Sequence, residues 1–407
     1  MTPESSVQEL DRITLTVDRV AHGGHVVGRH EGQVVFVRHA LPGERVVAEV
    51  TEVHRSYVRA DAVEILAPSP DRVPPPCPYA GPGRCGGCDL QHVAPAAQRD
   101  WKATVVREQL ARLAGFTDEE IADLGVRVSA LPAAPDLLGW RSRVRYAVDA
   151  AGRAGLLKHR SHEVVPIERC LIAHPSIQDL PVLGERHPSA EAVETIASSA
   201  GEVVAREVPT DEPAPVVREV AVGRAWALPS DAFWQVHPAA ADALANAVLE
   251  LAEPRAGEVA WDLYGGAGLF AAAVGRRVGS GGRVTLVESS SVGVAAARDN
   301  LRDLPWVEVV AARVEVALAK RRVAGPVDVV VLDPPRTGAG QRVARTLAHS
   351  GARAIAYVAC DPAAFARDVR AFRDEGWRLD GLRGFDCFPM TQHIELVGLL
   401  LPGPIAR

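Results

Sequence analysis

Residues 259–270 read VAWDLYGGAGLF, and this stretch decides how the C-terminal half of the chain is expected to fold. A short apolar run ends at Asp262, a glycine-rich segment follows, and a helix-like pattern begins after it. Glycines at such a turn allow backbone amides at a helix N-terminus to approach a ligand closely. The stretch therefore predicts a strand, a turn and a helix, with a ligand at the carboxyl end of the strand.

The segments around this stretch predict a larger sheet of the same kind. After residue 237, apolar runs alternate with helical patterns, which is typical of a doubly wound, Rossmann-like α/β domain with a largely parallel sheet. Ligands in such sheets lie at the carboxyl ends of the strands, so polar residues that end a strand are candidate site residues. The other apolar runs are RVTLVESS (283–290), WVEVVAA (306–312), VDVVVLDPP (327–335), AIAYVACDP (354–362) and HIELVGLLL (393–401).

The glycine-rich turn points to a nucleoside-containing cofactor. Glu288 ends the next strand, where a pair of ribose hydroxyls would be bound. The turn contains Gly265, Gly266 and Gly268, which differs from the G-x-G-x-x-G pattern of nicotinamide-binding proteins. A carboxylate, such a glycine turn and an acidic strand end are together more typical of S-adenosylmethionine methyltransferases. We expect this cofactor near Gly266 and Gly268; a nicotinamide site or a turn without a ligand are the alternatives.

Two further strand ends carry reactive side chains. Asp333 ends one strand before a stiff double-proline turn, and Cys360 ends the next strand. Both should flank one pocket, because the strands end at the same edge of the sheet. A thiolate is a strong nucleophile when its pKa is lowered, for example by the helix N-terminus that Asp361 and Pro362 predict. A buried and inert cysteine is the alternative.

A carboxylate downstream of Cys360 completes a plausible catalytic pair. Glu395 begins the last apolar run, after the stretch FPMTQHI. A nucleophile and a base suit methylation at carbon 5 of uracil, which is too weak a nucleophile to attack a methyl sulfonium directly. Addition of a thiolate at carbon 6 makes carbon 5 enolate-like, and after methylation a base removes the carbon 5 proton.

The N-terminal half divides into two further predicted parts. Residues 11–65 contain about five short strands, which favours a small OB-type barrel of the kind that often binds RNA. A proline-rich connector follows at 67–76, and 126–230 is β-rich. We therefore predict a barrel at 1–68, a central RNA-binding domain at 69–230 and a methyltransferase domain at 231–407. A helix at about 95–114 is a candidate to pack against the last of these.

Four cysteines of the central domain form a candidate metal site. Three of them are clustered and the fourth is distant, whereas zinc sites typically contain two close pairs, so an iron–sulfur cluster is favoured over zinc and over a site without metal. The candidate ligands are Cys77, Cys85, Cys88 and Cys170. Alternating Arg141, Arg143 and Arg145 would share one face of a strand, as a phosphate-contacting face or simply as a solvated one.

Composition excludes several classes of protein. The chain has 407 residues, a net charge of -6 and 24% charged residues, as in ordinary globular proteins. No apolar run reaches the ~20 residues of a membrane helix, and the N-terminus lacks the pattern of a signal peptide. We expect a cytoplasmic protein without membrane contact, whose cysteines form no disulfide framework.

Taken together, these motifs resemble those of the RNA uracil-5 methyltransferases, and the N-terminal barrel resembles a TRAM domain. The matching stretches, which extend over almost the whole chain with the barrel and the cysteines, are FWQVHP (233–238), DLYGGAGLF (262–270), VES (287–289), LDPPRTG (332–338), VACDPAAFARD (358–368) and FPMTQHIE (388–395). The resemblance implies Cys360 as nucleophile and Glu395 as base in a class I methyltransferase domain. It also implies cofactor or substrate contacts at Gln235, Tyr264, Glu288 and Asp333.

The resemblance further implies a [4Fe–4S] cluster, as in the members that modify ribosomal RNA, and therefore 23S rRNA as substrate. Separately, we expect a monomer. The sequence departs from the family at three positions: Asp361 and Arg313 replace frequent asparagines, and Leu269 replaces a frequent polar residue. Three alternatives stay open at this point. They are 5-methyluridine formation in transfer RNA, methylation of an amino group in RNA, and RNA binding without catalysis.

Overall fold

The computed structural model describes residues 7–132, 137–323 and 325–403. The N-terminal strands form a closed five-stranded barrel in the order β1-β2-β3-β5-β4. Alternate residues of the first strand, including Ile13, Leu15 and Val17, point into the barrel core, as its period-two pattern predicts. The predicted barrel is therefore confirmed. Its strands are β1 (Arg12–Ala21), β2 (His25–His30), β3 (Gln33–Arg38), β4 (Arg45–Val53) and β5 (Tyr57–Ala67).

The segment after the cysteine-rich loop packs against the C-terminal sheet. Helix α1 (Pro95–Gln109) begins with proline at its first turn and continues into a π-helical turn (Leu110–Ala114) that ends at Gly115, whose φ is 71°. Ala103, Val106 and Leu110 of this segment are buried in the core of the C-terminal domain. Helix α2 (Asp118–Asp123) follows, and β6 (Val128–Ala130) pairs with the edge of the C-terminal sheet. In this segment α1 thus packs in the core of the C-terminal domain, and β6 extends the sheet.

The central part of the chain is β-rich, as the sequence predicts. Its five-stranded sheet has the order β11-β10-β7-β8-β9, and β12 pairs with β13 in a separate hairpin. The elements are β7 (Arg143–Val148), β8 (Ala154–Leu157), β9 (Val164–Pro166), α3 (Pro175–Gln178), a 3-10 turn (Pro181–Leu183), β10 (Ala192–Ala197), β11 (Val203–Val208), β12 (Val216–Ala221) and β13 (Arg224–Pro229).

The alternating arginines of this sheet do not form one free cationic face. The guanidinium of Arg143 is largely buried and pairs with Glu219 at 3.1 Å, and Arg145 pairs with Glu194 on the neighbouring strand. Arg141 instead lines the large cavity described below. The interpretation of all three as phosphate contacts is therefore wrong for Arg143, which stabilises the junction between the two sheets.

The C-terminal domain is a doubly wound α/β sheet, as predicted. Strands β14 to β18 run parallel, and β20 and β19 add antiparallel strands beyond β18, in the order β16-β15-β14-β17-β18-β20-β19-β6. The elements are α4 (Ala240–Ala252), β14 (Val259–Leu263), α5 (Leu269–Val278), β15 (Arg283–Glu288), α6 (Ser291–Asn300), β16 (Val307–Ala311), α7 (Val314–Ala319), β17 (Val329–Leu332), α8 (Gln341–Ala348), β18 (Ala354–Ala359), α9 (Pro362–Asp374), β19 (Trp377–Asp386) and β20 (Glu395–Pro402).

Burial explains the apolar runs that the sequence shows. Every residue of β17 and of β18 is buried, because helices cover both faces of the sheet. Among the described residues, no helix combines the length and the apolar character needed to cross a membrane.

Candidate active site

The register of two neighbouring strands brings Cys360 and Glu395 together. β18 and β20 are antiparallel, and Ala359 pairs with Leu396. Continuing that register by one residue sets Cys360, just past the end of β18, opposite Glu395, the first residue of β20. Asp333 lies at the same sheet edge, since β17 runs parallel to β18 and ends at Leu332. A strand that enters the sheet in the reverse direction thus supplies a carboxylate beside the thiol.

These residues face one cavity of about 1010 Å³, close to the upper size of typical ligand pockets. Seven of the eight residues predicted for the catalytic and cofactor sites line it: Gln235, Tyr264, Gly266, Glu288, Asp333, Cys360 and Glu395. Gly268 does not line the cavity. Its φ is 98°, and a Cβ there would lie 2.8 Å from the Leu301 side chain, so this glycine shapes the turn before α5.

The glycine turn is held by the acidic ends of β14 and β15. One oxygen of Glu288 accepts the N–H of Gly266 at 2.9 Å, and the other accepts the N–H groups of Ser289 and Ser290 at 2.6 Å. Asp262 is buried, and its Oδ2 accepts the N–H of Ala271 at 2.7 Å. Its Oδ1 has no hydrogen-bond partner among the described residues. Burial raises the pKa of Asp262 to about 7.

The environment of Cys360 favours the protonated thiol in the free protein. Burial and the nearby carboxyl groups of Glu395 and Asp333 raise the pKa of Cys360 to about 12, against the opposing effect of Arg336. Helix α9 does begin at Pro362 as predicted. The expectation that its N-terminus lowers the thiol pKa is nevertheless wrong, because burial and two acidic groups outweigh it.

The two carboxyl groups at this edge are suited to proton transfer. Glu395 is buried, and its burial and the proximity of Asp333 raise its pKa well above the usual range. Burial raises the pKa of Asp333 to about 7. A carboxyl group with a raised pKa is a stronger base once it is ionised, so Glu395 has the environment of a general base.

The 387–394 loop, which connects β19 to β20 and leads into Glu395, is anchored by residues distant in sequence. Lys102 of α1 donates to Asp386 at 2.6 Å and to the carbonyl of Phe388 at 3.0 Å, with both side chains fully buried. Gln98, one turn earlier on α1, accepts the N–H of Met390 at 2.9 Å. Helix α1 therefore fixes the loop that positions Glu395.

We expect Lys102→Met to lower the free energy of unfolding by about 3–5 kcal/mol, because Asp386 would remain buried without its partner. Urea-induced unfolding of the full chain measures this change. Arg112→Ala is the matched control, since its exposed pair with Glu108 is worth at most about 0.5 kcal/mol. A loss for Lys102→Met as small as that of the control would contradict the assigned role of the pair.

Several cavity residues were not predicted from the sequence. Arg336 follows the double proline, and its Nη2 lies 3.4 Å from Nε2 of His393 in the 387–394 loop. Trp140 comes from the central domain and packs edge-on against Phe388 with ring centroids 6.1 Å apart. Sequence analysis could have identified Arg336 and His393, because they lie close in sequence to Asp333 and Glu395. Trp140 carries no comparable signal, because only the folded chain brings it to the cavity.

The four predicted metal ligands share a second, small cavity. Cys77, Cys85, Cys88 and Cys170 all line it, and each is a free thiol. Burial raises the pKa of the Cys85 thiol to about 11 and raises that of Cys88 further. In the described residues, no group of three or more ligating side chains is arranged so that it could hold a metal ion. The cysteines thus converge, as predicted, without forming a coordination site on their own.

This cysteine cavity adjoins the large one. Gly87 and Arg141 line both cavities. The backbone N–H groups of Asp89 and Leu90, directly after Cys88, donate to the carbonyl of Met390 at 3.0 and 2.9 Å. The cysteine-rich loop is therefore bound to the 387–394 loop.

Comparisons with known proteins agree with this arrangement. Residues 7–63 match the TRAM domain, and residues 224–402 match the tRNA (uracil-5-)-methyltransferase family model. An RNA methyltransferase of Streptomyces avermitilis is 49% identical, with 94% of this chain and 96% of the relative covered. The 23S rRNA (uracil(1939)-C(5))-methyltransferase RlmD of Chromohalobacter salexigens is 34% identical, with 95% and 88% covered.

Among solved structures, the fold matches the Pyrococcus abyssi tRNA (uracil-54, C5)-methyltransferase in complex with S-adenosyl-L-homocysteine. The TM-score is 0.67 at 21% identity, over 95% of this chain and all of the other. This likeness confirms the predicted fold class. With relatives of this identity along nearly their whole length, the chain belongs to the RNA uracil-5 methyltransferase family.

Proposed function

We propose that this protein transfers the methyl group of S-adenosylmethionine to carbon 5 of a uridine in RNA, with Cys360 as nucleophile and Glu395 as base. The observation that carries this assignment is the register of β18 and β20, which sets the thiol opposite the carboxylate at the edge of the large cavity. Asp333, at the end of the adjacent strand, would contact the substrate or the cofactor.

The proposed reaction balances with the side chains at hand. The Cys360 thiol first gives its proton to solvent in the open cavity, and the thiolate sulfur then forms a bond to carbon 6 of uracil, which moves electron density to carbon 5. Carbon 5 takes the methyl group from the sulfonium, whose sulfur keeps the electron pair of the broken bond. Glu395 then removes the carbon 5 proton, the carbon–sulfur bond at carbon 6 breaks, and 5-methyluridine is released.

The cavity fits S-adenosylmethionine, which supplies the electrophilic methyl group when it is bound. Glu288 offers carboxylate oxygens at the end of β15, where ribose hydroxyls bind in sheets of this type. At Gly266 no atom lies within 4 Å of the position that a Cβ would take, so the turn leaves room for a ligand. Gln235 and Tyr264, which also line the cavity, would complete the contacts.

The relatives favour ribosomal RNA as the substrate. The 23S rRNA enzyme of Chromohalobacter salexigens is similar over nearly the full chain, whereas the likeness to the tRNA enzyme of Pyrococcus abyssi supports the fold alone. The barrel, proposed at 1–68, and the central domain, proposed at 69–230 with the α1–β6 segment packed on the C-terminal sheet, would bind folded RNA. The domain at 231–407 would receive a uridine flipped out of its stack. A monomer acting in the cytoplasm stays a prediction.

Nucleoside mass spectrometry tests this function. The protein and S-adenosylmethionine are incubated with unmodified 23S ribosomal RNA or with unmodified transfer RNA, and the RNA is then digested. We expect new 5-methyluridine in the ribosomal sample. Its formation only in transfer RNA would keep the mechanism and overturn the substrate. A methylated adenine or cytosine would overturn both the mechanism and the role of Cys360.

The cysteine cavity is proposed to hold a [4Fe–4S] cluster through Cys77, Cys85, Cys88 and Cys170. Three thiols of the 77–88 loop and the thiol of Cys170 line one cavity, and four thiolates suit a soft metal centre. Bound there, the cluster would brace the cysteine-rich loop against the 387–394 loop. Anaerobic purification should give about four iron and four sulfide per chain by chemical analysis. One zinc per chain and no iron would instead show that the four cysteines hold zinc and not a cluster.

A further inference from the structure

The turn between the first two barrel strands reaches the active site. This barrel turn, His22-Gly23-Gly24, connects β1 to β2 and lies next to the residue that follows the nucleophile. The Nε2 atom of His22 is 3.2 Å from Oδ2 of Asp361. The two residues are 339 positions apart in sequence, so only the folded chain brings them together.

The carboxylate of Asp361, which His22 contacts, also caps a helix. Oδ1 of Asp361 accepts the N–H of Ala364 at 2.7 Å and so caps helix α9. Partial burial raises the pKa of Asp361, but the hydrogen bond from His22 and the backbone N–H groups outweigh it and hold that pKa below its usual range. His22 and the helix therefore occupy different oxygens of one side chain.

The position of His22 is fixed by close packing of the barrel turn. Gly24 has a φ of 75°, and a Cβ there would lie 3.0 Å from Cβ of Asp89 and 3.3 Å from Cβ of Gln392. Asp89 also accepts the N–H of Gln392 at 3.2 Å and pairs with Arg38 of the barrel at 3.4 Å. The turn thus contacts the 387–394 loop and the segment after the nucleophile.

From this geometry we infer that His22 is a positioning residue of the active site: the barrel fixes Asp361, and through it the backbone that carries Cys360. The inference depends on the proposed function for the role of Cys360. It accounts for the departure at position 361, where the family usually has asparagine. An amide and a carboxylate both cap helices, but a carboxylate in the residue next to the proposed nucleophile adds a negative charge, which the donor from His22 offsets.

The expected effects follow from the lost donor. His22→Ala leaves Oδ2 of Asp361 without its partner, so more negative charge acts on the Cys360 sulfur and the α9 cap is less firmly held. We expect alkylation of Cys360 by iodoacetamide at about pH 7.5, followed by peptide mass spectrometry, to slow about threefold to tenfold. The single-turnover methylation rate should fall similarly, with the Kd for RNA unchanged.

A rescue separates this role from general destabilisation. Asp361→Asn removes the uncompensated charge and keeps a good helix cap, so adding it to His22→Ala should restore alkylation to within about twofold of the wild-type rate. His30→Ala, at the opposite end of β2, is the matched control and should change neither rate. The other titratable groups that face this region stay unchanged throughout: His393 near His22, and Arg336, Glu395 and Asp333 near Cys360.

Each outcome decides the inference. Unchanged Cys360 alkylation in His22→Ala would overturn it, as would a double variant that is as impaired as the single one. Loss of RNA affinity with normal alkylation would make His22 an RNA contact instead. Alkylation needs neither RNA nor S-adenosylmethionine, so it tests the inference even if the wild-type protein forms no 5-methyluridine. Absence of 5-methyluridine with the wild-type protein would contradict only the proposed function.

Discussion

Cys360→Ala is expected to reduce formation of 5-methyluridine to below about one thousandth of the wild-type rate. Without the sulfur–carbon 6 bond, carbon 5 of uracil stays too weak a nucleophile to take the methyl group. Alanine leaves a small, partly solvent-exposed gap at the end of β18, so the fold should persist. Single-turnover reactions with unmodified 23S ribosomal RNA, analysed by nucleoside mass spectrometry, measure the effect.

An RNA that contains 5-fluorouridine provides the positive control for the covalent step. Wild-type protein should form an adduct with it that survives denaturing electrophoresis, because fluorine cannot leave carbon 5 as a cation. Cys360→Ala should bind the same RNA but form no adduct. Methylation that persists in Cys360→Ala would contradict the assigned nucleophile and favour an amino-group mechanism based on the Asp-Pro-Pro turn.

The raised pKa of Cys360 shapes this reaction. In the free protein the thiol is protonated at neutral pH, which limits its reaction with oxidants and alkylating agents. A bound S-adenosylmethionine would bring a positive charge to the cavity and favour the thiolate, as Arg336 already does. The nucleophile would then form mainly when both substrates are present. The sequence analysis favoured the opposite environment because it gave more weight to the helix N-terminus than to burial and the carboxyl groups of Asp333 and Glu395.

The sequence predicts those parts of the site that depend on local patterns. Apolar runs that end in Asp333 and Cys360 locate two strand ends, and parallel strands must end at the same edge. The glycine turn before α5 is likewise a local signal. Gly268 shows the limit of this reasoning, because the same pattern does not distinguish a glycine that faces the ligand from one that packs on Leu301.

The parts that sequence missed depend on contacts between distant segments. Lys102 and Asp386 are separated by 284 residues, and neither belongs to a recognisable motif. A lysine at helical spacing is normally a solvated residue, and only the packing of α1 against the C-terminal domain buries it. The same holds for His22, which lies in a glycine turn of a domain expected only to bind RNA.

The three departures from the family pattern have different structural settings. Leu269 is buried in the apolar core and also lines the large cavity. Arg313 is largely exposed at the cavity rim, with its guanidinium 3.6 Å from Glu315. Asp361 caps α9 and meets His22. Of these, only the last adjoins the proposed nucleophile Cys360.

Glu395→Gln is expected to stop the reaction after methyl transfer rather than before it. Glutamine has the shape of glutamate but cannot remove the carbon 5 proton, so the sulfur–carbon 6 bond cannot break by elimination. Methylated RNA should remain covalently attached to Cys360. Release of 5-methyluridine should fall by at least about a hundredfold, while denaturing electrophoresis with labelled RNA shows an adduct that wild-type protein resolves.

The mass of that adduct shows whether Glu395 acts as the base or only supports the structure. A methylated adduct shows that carbon 5 had already taken the methyl group, whereas an unmethylated adduct or none would mean that Glu395 acts earlier, for example by accepting the thiol proton. The double variant with Cys360→Ala must lose the adduct entirely. Since the buried carboxyl has a raised pKa and is readily kept neutral, a neutral amide should be tolerated in its place. Normal turnover by Glu395→Gln would assign the proton to another group, with Asp333 as the nearest carboxylate at that edge.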